Sequence, residues 1–182
     1  MKISDDVYDE KHNKILASLI GILCGVVSGI ITSSSVDGAY IFLGILIGNF
    51  IALKVDGIHH VVTLIVFLAV SLYLSIPTLN LLLLAVIIIS ALIDEIGNDD
   101  EKIYAKSKFL MYFFDYRFTM KVVILILALF GYLNLWTFLF FLCFEIAYEI
   151  GRVLFERYLI NWDLLFLDFL FYFFFSNFFH WI

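Results

Sequence analysis

Runs of about 18 or more apolar residues recur along the chain, separated by short polar breaks, and each is long enough for a helix to cross about 30 Å of hydrocarbon. About seven are marked: 15–33, 39–54, 59–76, one that opens at Pro77 and closes in the polar run 94–100, 120–135, 136–158 and 164–181. The fold expected is all-α, a polytopic transmembrane helical bundle of about seven spans. Residues 1–14 form an N-terminal arm or short helix before it, within a single integral membrane domain covering 1–182. The stretch 101–119 mixes Lys102, Lys106 and Lys108 with Phe109, Tyr112 and Phe113, which is too charged to span; it is expected to lie amphipathic in the interface.

Small residues recur every four positions in the first two spans: Ala17, Gly21, Gly25, Gly29 and Ser33, then Gly44, Gly48 and Ala52. Such stripes let backbones approach closely, and the expectation is that these two spans pack on each other through them. A homodimer through the same faces is the alternative. Gly57 permits a turn before the third span, with Asp56 expected as the cap of that helix.

Alternating spans place 1–14, 54–59, 96–120 and 157–163 on one side. All eleven lysines and arginines fall on that side or in the nearer half of a span. The positive-inside rule makes it cytoplasmic, giving N-in, C-out topology and a multi-pass protein of the cell membrane. Composition agrees: 64% of residues are hydrophobic and 15% charged, and no polar stretch is long enough for a separate soluble domain. The arm is acidic rather than basic and no small-residue cleavage site follows, so the first span is expected to be retained. Cys24 and Cys143 lie inside apolar runs and do not form a disulfide framework. A net charge of −6 with few basic residues excludes nucleic acid as a partner.

The exception to the apolar pattern is the sixth run. Glu145, Glu149, Arg152 and Glu156 fall at spacings of four, three and four, within about 60° of one another on a helix turning about 100° per residue. An ionised group near the bilayer centre costs roughly 2.5–3.5 kcal/mol, so neighbouring helices are expected to answer this stripe. Connectivity supplies the answering groups at one membrane depth: Asp56, His59 and His60 at the start of span three, and Asp94, Glu95, Asn98 and Asp99 at the end of span four.

Carboxylates suit Mg²⁺ or Mn²⁺, and an imidazole admits Zn²⁺ or iron, so a divalent metal is the expected cofactor. The expected ligands are Asp56, His59, Asp94 and Glu149. Adjacent helical residues point about 100° apart, so one of His59 and His60, rather than both, is expected at one ion. Arg152 presents a planar fork suited to a phosphate. Glu149, Asp94 and Arg152 are the expected catalytic groups; His60, Glu95, Asn98, Asp99, Glu145 and Glu156 are further polar candidates. The function expected is an integral membrane enzyme with a cytoplasm-facing, metal-assisted site acting on a lipid or prenyl phosphate, its partners being membrane lipid and that substrate. The alternatives are a proton or cation transporter or channel, and a non-catalytic subunit of a membrane complex. No motif specific to a known family of membrane enzymes is present.

Overall fold

The computed structural model describes residues 1–100, 102 and 107–155. These form eight helices and no strand: α1 (Lys2–Asp9), α2 (Lys14–Ser34), α3 (Val36–Ile51), α4 (Ile58–Leu74), α5 (Leu81–Asp99), α6 (Lys108–Asp115), α7 (Phe118–Leu129) and α8 (Leu135–Leu154). Glu156 and the run 164–181 lie outside the described residues. Two of these helices, α2 and α5, are long and apolar enough to cross a membrane; α3, α4 and α7 are apolar but shorter. The 20-residue α8 carries the charges of Glu145, Glu149 and Arg152.

Helix starts follow local chemistry. Asn13, Ser35, Asn80 and Asn134 cap α2, α3, α5 and α8, each side chain accepting a backbone N–H of the first turn. Two expectations fail here. Pro77 does not open α5, because the Asn80 side chain takes the N–H groups of Leu82 and Leu83 and sets the first helical residue at Leu81. Asp56 does not cap α4: Gly57 is the cap and offers no side chain.

The long helices run alternately up and down, and contacts between distant residues fix their ends. At one end the Ser33 hydroxyl of α2 reaches the Ser71 carbonyl of α4, and the Asp37 carboxylate of α3 accepts from Asn134 N–H and the Thr137 hydroxyl of α8, at 2.8 and 2.6 Å. At the other end Lys54, just after α3, pairs with Asp99 of α5, and Arg117, just before α7, pairs with Glu95 of α5.

The glycine stripes pack differently from expectation. The closest pairings are α2 with α4 and α3 with α5, rather than α2 with α3. A Cβ on Gly25 would stand 2.7 Å from the Thr63 carbonyl oxygen, and one on Gly44 2.5 Å from the Ile87 side chain. Each stripe is therefore filled from within the chain, by the helix two places on. The main core lies between α3, α5, α7 and α8 and is built on Tyr40, Ile87, Ile124 and Phe141. The short α1 docks against the bundle end: Val7 packs with Ala17 and Phe155, and the Ser4 hydroxyl donates to the Ala17 carbonyl at 2.7 Å.

Candidate functional site

The charged side chains gather at the end where α1 docks, in two adjoining groups. The first is built by α1 and the opening turn of α4. Asp5 Oδ1 lies 3.0 Å from His59 Nε2 and 3.3 Å from His60 Nε2. The two rings tilt together with centroids 4.1 Å apart, so both imidazoles meet one oxygen. The expectation that only one of the two histidines serves a common point is not met: both Nε2 atoms reach Asp5 Oδ1, which α1 brings between them. His59 is 2% exposed, lies against the Tyr8 ring at 4.4 Å, and has a buried Nδ1 without a hydrogen-bond partner among the described residues. Asp56 touches the edge of this group, 3.6 Å from His60 Nε2, with its own side chain largely exposed.

The second group is built by α5, α7 and α8. Asp94 is 1% exposed, and its carboxylate accepts Thr119 N–H at 3.0 Å and Met120 N–H at 2.7 Å. Helix α7 has no side-chain cap of its own, and its free N–H groups and positive dipole end are met by this carboxylate from α5. Glu95, equally inward, pairs with Arg117 at 2.7 Å. Burial works against the charge of the Arg117 guanidinium, but Glu95, with Glu145 and Asp94 nearby, outweighs it and leaves its pKa raised. Lys121 reaches Glu145 at 3.0 Å and also donates to the Tyr116 carbonyl. On the outer turn Arg152 pairs with Glu149 at 2.7 Å, three residues apart on α8.

The expected residues are thus brought to one end but not to one point. His59, His60 and Asp56 belong to the first group. Asp94, Glu95 and Glu145 are buried in the second; Glu149 and Arg152 stand at its rim. Asp99 is exposed and tied to Lys54, and Asn98 is exposed on the last turn of α5. Glu156 lies outside the described residues. Four contributors lie outside the expected site set: Asp5, Arg117, Lys121 and Tyr148, of which connectivity already puts Arg117 and Lys121 at that membrane depth. Tyr148 joins the groups, since Arg117 lies 5.4 Å over its ring and Asp5 and Lys2 are within electrostatic reach. A signal for Asp5 does exist in the chain: Ile3 and Val7 are spaced for one helix face, and such a face seeks a surface to dock on.

Beside the second group an open groove of about 800 Å³ runs between α6, α7 and α8. Its walls are mainly apolar, with Tyr112, Tyr116, Phe118, Ile146 and Ile150, and it also takes in Lys121, Glu145, Glu149 and Arg152. The chain matches no known family model, no curated protein and no solved structure.

Proposed function

We propose that the chain is an integral membrane enzyme of about seven spans, N-terminus in the cytoplasm, that acts on a lipid or prenyl phosphate at the cytoplasmic face of the cell membrane. Three features support the membrane setting. Large apolar side chains cover the outer face, among them Ile15 (77% exposed), Leu72, Leu81 and Leu82. Patches on that scale in water would drive association, whereas lipid covers them without cost. The helices alternate in direction, and all eleven basic residues of the chain belong to one side.

The observation that carries the substrate class is the groove: an apolar trough open along its length, with Arg152 and Lys121 at charged positions in its walls. An acyl or prenyl chain fits the apolar part, and its phosphate meets the two cations. Arg152 is held by Glu149 at 2.7 Å. A phosphate competes for the guanidinium through bidentate hydrogen bonds and releases Glu149. Glu149 then takes the proton from a water or hydroxyl that attacks phosphorus, the phosphorus–oxygen bond to the leaving group breaks, and Glu149 returns that proton to the departing oxygen, which leaves as the alcohol.

The test is reconstitution of the full chain into liposomes containing phosphatidic acid or a polyprenyl phosphate, with ³¹P spectra read over time. Expected is loss of the phosphomonoester signal, abolished in Arg152→Gln and Glu149→Gln variants that keep the wild-type helical content. A chain that neither binds nor consumes any phosphorylated lipid, or variants as active as the parent, would overturn the proposal.

A further inference from the structure

We infer that Asp5, His59 and His60 form a binding site for a divalent transition-metal ion, with Zn²⁺ the best match. The site joins the N-terminal helix α1 to the opening turn of α4, and its geometry stands apart from the lipid-phosphate groove. One ligand atom from each residue lies within 4.8 Å of the other two. Ligands bound to Zn²⁺ at about 2.0–2.1 Å stand about 3.0–3.4 Å from one another in a tetrahedral or octahedral shell. The separations of Asp5 Oδ1 from the two Nε2 atoms, 3.0 and 3.3 Å, are those of neighbouring positions in such a shell.

The chemistry of the donors narrows the ion. Two imidazoles and one carboxylate suit Zn²⁺, iron or other first-row ions, whereas Mg²⁺ and Ca²⁺ favour oxygen alone. The Asp56 carboxylate, 3.6 Å from His60 Nε2, is placed to become a fourth ligand after a small rotation; being exposed, it can move. The buried His59 ring is wedged by its other edge: Cε1 and Nδ1 lie against Gly57, where a Cβ would stand 2.4 and 2.6 Å from them. The ring is thus fixed in place with Nε2, already 3.0 Å from Asp5 Oδ1, aimed at the point where His60 and Asp5 converge. An ion there would also tie α1 to the bundle, since the carboxylate comes from a different helix than the imidazoles.

The experiment uses the full chain, purified in detergent without a histidine tag, stripped with chelator and titrated with Zn²⁺ and with Co²⁺. Expected is one Zn²⁺ per chain, with Co²⁺ giving the d–d absorption of a nitrogen- and oxygen-ligated ion. Asp5→Asn and His60→Gln are expected to weaken uptake at least tenfold, while Asp9→Asn, an exposed acid on the same helix, leaves it unchanged. X-ray absorption at the zinc edge of the wild-type protein provides a readout that needs no variant; two imidazoles in the shell are expected. Failure of the folded wild type to take up stoichiometric metal, a shell without two imidazoles, or uptake indifferent to both substitutions overturns the site. Loss of lipid-phosphate turnover without loss of metal uptake bears only on the groove.

Discussion

Replacing Asp94 by asparagine separates a structural role from a catalytic one. The carboxylate is 1% exposed and accepts two backbone N–H groups of α7, at 3.0 and 2.7 Å. Hydrogen bonds to a charged group contribute about 1.5–3 kcal/mol each, and a buried N–H left unpaired costs about 1–3 kcal/mol. Asparagine keeps one oxygen and turns an NH₂ toward the other donor. One charge-assisted bond is lost, one N–H is orphaned, and the remaining bond becomes neutral. Relief of the buried charge offsets part of this, so a net loss of about 2–4 kcal/mol is expected. Reversible unfolding in mixed detergent, followed by circular dichroism, measures the loss; amide exchange at the start of α7 locates it. A variant within about 0.5 kcal/mol of the parent refutes the capping argument. If such a stable variant also loses turnover, Asp94 belongs to the chemistry instead.

Two further outcomes follow from the packing. Gly25→Ala gains about 1 kcal/mol of helix propensity but places a Cβ 2.7 Å from the Thr63 carbonyl oxygen and 3.1 Å from Phe67 N, backbone atoms that cannot swing aside. Overpacking of about 1–3 kcal/mol outweighs that gain, so a lower midpoint in the same unfolding assay is expected, and a higher one contradicts the tight α2–α4 seam. Arg117 holds a left-handed backbone with φ +49°, so Arg117→Gly relieves roughly 1–2 kcal/mol of strain. It also leaves the buried Glu95 unpaired, at about 3–5 kcal/mol, and the variant is expected to be the less stable. Adding Glu95→Gln is expected to recover part of the loss; a double-mutant cycle with no coupling would show that the pair does not hold this junction.

Much of the fold was legible in hydropathy. The runs from 15 to 99 correspond to α2, α3, α4 and α5 within a few residues, because apolar length and the polar breaks both act locally. Partner choice was not legible. A stripe such as Gly21, Gly25 and Gly29 announces that a backbone will come close but does not say whose. The place went to α4, whose Thr63, Phe67 and Val70 meet those glycines.

The amino-acid sequence alone determined that the described residues are helical, that their outside is apolar, and that most of their charges, Asp37 apart, fall at one end, since each follows from composition and the alternation of connected helices. Tertiary structure decided which charges meet. Asp94 became the cap of α7, Glu95 and Glu145 acquired Arg117 and Lys121, and Asp5 came to both imidazoles through the docking of α1. The physical reason is range: helix formation and hydrophobicity are summed over neighbours in the chain, whereas a hydrogen bond or ion pair is set by a few ångströms between residues up to 100 positions apart.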